Sequence, residues 1–501
     1  MLEKTPQKQS INALFSAQFV AQADLLVPLK QLLYHDAESR HIVCIGEHQQ
    51  YDWQDLRRTC SWMIQRLQTE TSEQSAVALV FKSGFLMVCA LLACVHLKRK
   101  IILPSLATVE HLHSIAAHFS LLMSDELKLQ AYCHPAKGHQ AQQYQAQQYQ
   151  TQEYSDKSAV LFCSEIAESG QPIEFSEAFI GSEFCAPDSA DILLFTSGST
   201  GQPKGIEKYL ALFDRQIRIE HQLLKAQLQG CVMYSTVNHN HLLGLMYRLL
   251  FPLVLRMPFF EYNFVIPEQV AKIPFAYALI SSPAFLRFLD PRLSYPPANI
   301  VFSSGGKLPE PVGLLTQSLL QTELMEFYGS SETGAVAYRT FPQQQWLVLD
   351  GIEFKQDLQD NCLTIRSPLL PSGEWYKMED RIALQKNSFE LLGRADRVAK
   401  ISDKRISLTQ IENLALQLEE IKEVKALVVS DHLRDSVGLV VVLNDGHQDQ
   451  SRKAILLRLR QHLKNHIELI ALPRKVRLQP FMPMNEQGKL SLSLLQELFN
   501  E

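Results

Sequence analysis

The chain has 501 residues, 46% of them apolar and 20% charged, with a formal net charge of −5. That length leaves room for more than one domain and a large core, and the acidic balance argues against nucleic acid as a partner. Nine cysteines without a CxxC pair read as reduced, buried thiols, and the start MLEKTPQKQS lacks the apolar stretch of a secretion signal, so a cytoplasmic protein is expected.

In chain order, a short strand is predicted at His41–Ile45, an amphipathic helix at Trp53–Leu67 and a strand at Ala76–Phe81. The thirteen largely apolar residues Phe85–Leu97 are too short to span a bilayer and read as a buried helix before a strand at Ile101–Leu103. Residues 138–155 repeat AQQYQ, are rich in Gln and poor in aliphatics, and have little to bury; they read as a surface insertion. Strand and helix signals resume at Cys231–Val237, Leu242–Leu255, Tyr277–Ile280 and Ile300–Ser303. The stretch from Leu242 to Phe260 is long enough to span but carries Arg248, Pro252 and Arg256, so it belongs inside a soluble fold without a membrane span. Strands alternating with helices suggest a mainly parallel sheet. Residues 345–400 look more antiparallel, and beyond Arg394 helices and strands form a separate domain of about a hundred residues. The expected class is α/β: a large N-terminal domain of βα subdomains with a small antiparallel β subdomain (1–394), then a small α+β domain (397–501).

The chain is organised around TSGSTGQPKG, Thr196–Gly205. Thr196, Ser197, Ser199 and Thr200 supply hydroxyls, Gly198, Gly201 and Gly205 let a ligand approach the backbone, and Lys204 adds a charge. Read as strand, loop and helix, this suits a polyphosphate. It is not a Walker loop, because Lys204 lies between Pro203 and Gly205 rather than in Gly-Lys-Ser/Thr. A second motif, EFYGSSETG, offers Glu332 as a hard oxygen ligand for Mg²⁺, Tyr328 as a purine stacker and Gly329 as a turn. In EWYKMEDRIAL and ELLGRAD, Asp380 and Arg394 are suited to clamp a ribose diol.

These segments, in this order, resemble the adenylate-forming superfamily of acyl- and aryl-CoA synthetases, peptide-synthetase adenylation domains and luciferases. Tyr328, Gly329, Ser330, Ser331 and Glu332 stand where the family has YGxTE, and Gly393–Asp396 keeps its GRxD intact. FSSGGKLP resembles the segment bordering adenine and the acyl group, which implies that role for Ser304, Gly305 and Gly306. Lys377, Met378 and Glu379 replace the family's usual Thr-Gly context, and Asp403 replaces a glycine in KISDKRI. The resemblance implies ATP and Mg²⁺ bound by the Thr196–Lys204 loop, Ser331, Glu332, Asp380 and Arg394. Lys489 would reach the carboxylate and α-phosphate during adenylation, Asp396 would be the hinge, Lys400 would move inward for the second step, and His241 would gate the acid. The expected product is an acyl-adenylate, passed to coenzyme A or to the phosphopantetheine thiol of an acyl carrier protein.

From Arg397 onward the sequence holds 16 basic and 13 acidic residues, a surplus suited to an acidic carrier. Similarity to synthetases of the aryl-polyene kind implies an aromatic acid such as 4-hydroxybenzoate or a hydroxycinnamate. A fatty or β-hydroxy acid, and a non-catalytic nucleotide-binding protein on the same scaffold, stand as alternatives.

Overall fold

The computed structural model describes residues 26–34, 40–72, 75–126, 129, 159–162, 191–197, 203–394, 398–401, 404–431, 434–464, 466–467, 469–484 and 490–500. The Gln-rich insertion, Gly198, Ser199, Thr200, Gly201, Asp396, Asp403 and Lys489 lie outside them. The chain divides into two compact units, Met1–Ile352 with Ser367–Glu374, and Glu353–Arg366 with Trp375–Glu501.

In the first unit β1 (Ile42–Ile45) and β2 (Gln50–Asp52) lead into α1 (Trp53–Glu70). The helix starts there because Asp52 and Asp55 each accept the other's backbone N–H, at 2.9 and 3.1 Å. Next come β3 (Val77–Val80), α2 (Gly84–His96), β4 (Ile101–Leu103), β5 (Leu121–Ser124), β6 (Ala159–Phe162), β7 (Ile192–Ser197) and β8 (Pro203–Lys208). They form a sheet in the order β6-β5-β3-β4-β7-β8, parallel except at β7/β8. Helix α2 is buried along nearly its whole length, which explains its lack of a polar face.

The last strand corrects the strand, loop and helix expectation. After the loop the chain returns antiparallel to β7, with Thr196 opposite Lys204, before α3 (Leu210–Leu228) begins. The cause is visible in PKGIEK, where Ile206 and Lys208 turn inward while Gly205 and Glu207 face out. This period of two belongs to a strand, and reading it together with the following helix merges two patterns.

A second sheet in this unit contains β9 (Val232–Ser235), β10 (Phe259–Phe260), β11 (Tyr277–Ser281), β12 (Ile300–Ser303), β13 (Glu323–Ser330), β14 (Gly334–Thr340) and β15 (Trp346–Val348). Its order is β15-β14-β13-β12-β11-β9-β10-β1-β2, parallel from β13 to β1. Residues 242–254 are helical with a π segment at Leu245–Leu250, and Arg248 within it is fully buried. Arg248 donates to Nδ1 of His239 at 2.8 Å and to the Glu261 carbonyl at 2.5 Å. Since Nδ1 accepts, Nε2 carries the proton and donates to the Phe81 carbonyl at 2.8 Å. Burial, then Arg248, holds His239 well below the usual imidazole range, so it is a neutral core residue. Among the described residues no helix is long and apolar enough to cross a membrane.

The second unit opens with the antiparallel meander β16 (Glu353–Gln356), β17 (Cys362–Arg366), β18 (Tyr376–Leu384) and β19 (Ser388–Arg394). The hairpin β20 (Val398–Ile401) and β21 (Lys404–Ser407) follows, then α4 (Leu408–Ala415), β22 (Ile421–Asp431), β23 (Arg434–Leu443), α5 (Arg452–Leu463), β24 (Lys475–Leu478) and α6 (Leu492–Glu497). Ile411, Ala426, Leu439 and Leu459 centre its core. The fold class is therefore the expected one, mixed α/β with a large sheet-rich N-terminal part and a smaller C-terminal α+β part. Cys44, Cys60, Cys89, Cys94, Cys231 and Cys362 are free and buried, as expected of reduced thiols.

Two buried polar contacts in the first unit generate stability predictions. Arg339 and Glu326, both under a tenth exposed, pair at 2.5 Å. Glu326→Ala strands the guanidinium and should lower unfolding free energy by about 3–5 kcal/mol in urea titration. On α3, Glu220 is fully buried and accepts from Gln216 and Tyr247, both at 2.8 Å. Burial pushes its carboxyl up to about 8, against those two hydrogen bonds. The folded protein keeps this proton to about pH 8, while the unfolded chain releases it near 4.5. Glu220's contribution is thus complete below pH 4.5 and falls as pH rises toward 8. The advantage of Glu220→Gln over wild type should therefore widen between pH 5 and pH 8 by about 1 kcal/mol or more. Urea midpoints at both pH values check it, and an unchanged gap would refute it.

Candidate active site

Hairpin β7/β8 and the turn between β13 and β14 bring the first two motifs together. Lys204 Nζ lies 2.6 Å from Glu332 Oε1, a contact between residues 128 apart in sequence. Burial alone would raise the Glu332 carboxyl, but the Lys204 hydrogen bond, backed by the turn's own amide and Ser330, holds it below the usual range. Thr196 Oγ1 donates to the Lys204 carbonyl at 3.4 Å, and Ser197 is paired in register with Pro203.

Sequence reasoning missed Lys208. It is only 8% exposed, and its ammonium donates to the Glu332 main-chain oxygen at 2.8 Å. Burial lowers its pKa to about 8, with Glu332 opposing the shift. Its inward parity on β8 was the available signal. The same side chain lines a small cleft with Gln216, Leu242, Thr333 and Gly334.

Gly329 is not the turn. It lies inside β13 beside a register shift, where a Cβ would fall 1.9 Å from the Gly334 carbonyl oxygen. The turn is Ser331–Thr333, braced because the Ser330 amide donates to Thr333 Oγ1 at 3.1 Å and the Thr333 amide to Ser330 Oγ at 3.2 Å. Gly334 has φ +71°, and a Cβ there would meet Gln216 Oε1 at 2.5 Å. Ser331 is half-buried in this turn, and Tyr328 packs its ring 5.6 Å from that of Trp346. Ser304 Oγ donates to the Phe327 carbonyl at 2.8 Å, and the exposed Gly305 takes the left-handed φ of +87° beside the exposed Gly306. His241 is half-buried at the start of the helical stretch, its carbonyl accepting the Leu245 amide at 2.8 Å.

In the second unit Asp380 stands opposite Arg394 across β18/β19. The Arg394 guanidinium bonds Glu379, while Lys377 reaches Asp360 at 2.8 Å and Asp357 at 3.2 Å. Lys377 and Glu379, two of the residues that depart from the family text, are thus engaged within their own unit. Lys400 lies on β20 opposite Arg405.

Residues 34–351 match the family described as AMP-binding enzyme. An anthranilate–CoA ligase of Pseudomonas aeruginosa is 25% identical over 353 residues, covering 62% of this chain and 67% of the relative. A 3,4-dihydroxybenzoate–[aryl-carrier protein] ligase of Bacillus anthracis is 21% identical over 329 residues, covering 62% and 74%. The ATP-bound structure of MatB from Rhodopseudomonas palustris superposes with a TM-score of 0.75 at 15% identity, over 95% of this chain and 99% of the other, and so shares the fold. The matched stretch is well over half of the sequence and contains the Lys204–Glu332 contact, so the chain belongs to the AMP-binding enzyme family and is an acid–thiol ligase with acyl- and aryl-CoA ligase relatives.

Proposed function

We propose that the protein uses ATP to convert an aromatic carboxylic acid, of the 4-hydroxybenzoate or hydroxycinnamate class, to its acyl-adenylate and then passes the acyl group to a thiol. The observation that carries this reading is the Lys204–Glu332 pair, in which the lysine of the TSGSTGQPKG motif meets the carboxylate of EFYGSSETG. The aromatic class is supported by relatives named for anthranilate and 3,4-dihydroxybenzoate. A carrier protein as acceptor is supported by the second of these and by the basic residues of α5.

Mg²⁺ fits this donor set. Glu332 offers a hard, ionised oxygen, and one or two carboxylates completed by phosphate oxygens are the ion's usual protein arrangement. Bound there, it supplies charge neutralisation of the phosphates. Lys204 exchanges its contact with Glu332 for phosphate oxygens of the nucleotide. An oxygen of the acid attacks the α-phosphorus, the bond to the β-phosphate bridge breaks and pyrophosphate leaves. Lys489 stabilises the charge that grows in that step. The acceptor's sulfur then forms a thioester and AMP departs, the thiol proton passing to solvent. Asp380 and Arg394 hold the ribose, Ser304–Gly306 and Tyr328 border the adenine, Asp396 serves as hinge, and Lys400 and His241 act in the second step and at the acid's entrance. A fatty or β-hydroxy acid is the second reading, favoured by similarity to an acyl-CoA synthetase over 31% of this chain.

Acid-dependent exchange of labelled pyrophosphate into ATP tests the reading across a panel of aryl and aliphatic acids. Exchange with aryl acids is expected, and Lys204→Ala should lower it about 10²-fold. Exchange with aliphatic acids alone would transfer the assignment to the second reading, and none with any acid would end both. Arg452 and Lys453 on α5 are exposed, Arg458 pairs with Glu420 at 2.6 Å and Arg460 donates to the Pro473 carbonyl at 2.9 Å. Replacing the exposed pair Arg452 and Lys453 by Gln, which leaves the Arg458–Glu420 and Arg460–Pro473 contacts intact, should slow carrier loading about threefold or more at low salt and leave pyrophosphate exchange unchanged.

A further inference from the structure

Strand β8 sends two lysines to one residue. Lys204 meets the Glu332 carboxylate at 2.6 Å and Lys208 meets the Glu332 carbonyl at 2.8 Å. Between them Ile206, 8% exposed, anchors the strand to the interior. The turn carrying Glu332 is braced internally by Ser330 and Thr333, and Gln216 lies over Gly334. Those contacts shape the turn but do not join its tip to the hairpin that carries the nucleotide loop. Two lysines make that join, Lys204 at the carboxylate and Lys208 at the main chain, and only the second holds the backbone from which the carboxylate projects. A site chosen for packing alone would take an apolar residue at this inward position, as it does at Ile206. A lysine is rarely so buried without a bound partner, and the lowering of its pKa to about 8 marks the desolvation cost.

We propose that Lys208 is a positioning residue for the adenylation site: by holding the Glu332 main chain it sets the Glu332 carboxylate where Mg²⁺ and the phosphates need it. The inference rests on the reading of Glu332 as the residue that receives Mg·ATP. It predicts that Lys208 matters only while Glu332 has a carboxylate to place.

The test is a double-mutant cycle on the full chain, with calorimetric binding of Mg·ATP as the readout and pyrophosphate exchange alongside it. Lys208→Met should weaken Mg·ATP binding about tenfold in the wild-type background, the scale of one lost charge-assisted hydrogen bond. In a Glu332→Gln background the same change should cost less than about twofold, since nothing remains to be placed. Lys208→Arg, which keeps a charged donor, should restore most of the affinity. Equal losses in both backgrounds, or no loss in either, would overturn the assignment and leave Lys208 a structural residue. Should Lys208→Met fail to fold, Lys208→Gln, which keeps a donor without the charge, replaces it in the cycle: a loss confined to the Glu332 background supports the assignment, and equal losses or none overturn it. A wild-type protein that does not bind Mg·ATP overturns the underlying reading and this inference with it, whereas wild-type binding and exchange with an additive cycle sinks the inference alone.

Discussion

The ammonium of Lys204 against the carboxylate of Glu332 joins segments 128 residues apart, and much of the first unit has the effect of making that encounter possible. One partner is placed by the β7/β8 register, which puts Lys204 opposite Thr196. The other is placed by a register shift in β13 that only a glycine at 329 permits. Both partners are partly solvated, so the pair contributes little to stability by itself. On the proposed function its importance lies in competition: an incoming polyphosphate would draw the ammonium away and free the carboxylate for a cation. Neither partner needs to leave the site.

Around this exposed contact the polar groups are handled differently. Glu326 and Arg339 are sealed off and paired, with the guanidinium also 4.8 Å from the Trp346 ring. Glu220 is buried as the acid, given two donors on one oxygen. In each case the cost of removing charge from water is offset by pairing or by proton retention. The solvated site keeps its groups ionised, while the interior neutralises or pairs them.

Elements with one clear period are legible in the sequence. Strand β1, the buried helix α2, strand β4 and strands β11 and β12 fall where alternation or an unbroken apolar run places them. The antiparallel character of residues 345–400 is also visible in its short alternating runs. Strand β8 is not, because six residues of period two abut a helix and share Ile206 with its apolar pattern. Gly329 reads as a turn because composition alone cannot separate a glycine that bends the chain from one that admits a neighbour's carbonyl. Motif residues stand out by their chemistry. Lys208, Gln216 and Glu220 do not, since a single lysine or glutamate in a charged helix region reads as solvated until its neighbours are known.

The pairing of Arg248 with His239 has a bearing on how this protein meets a change of acidity. An imidazole whose one nitrogen must accept from a guanidinium, and whose other must donate to the Phe81 carbonyl, has no position left for a second proton. The segment from Thr236 to His241 therefore starts from a support that does not titrate in the range where free histidines do. Mild acidification leaves this one support unprotonated, and the pH response of the interior falls to other buried groups such as Glu220.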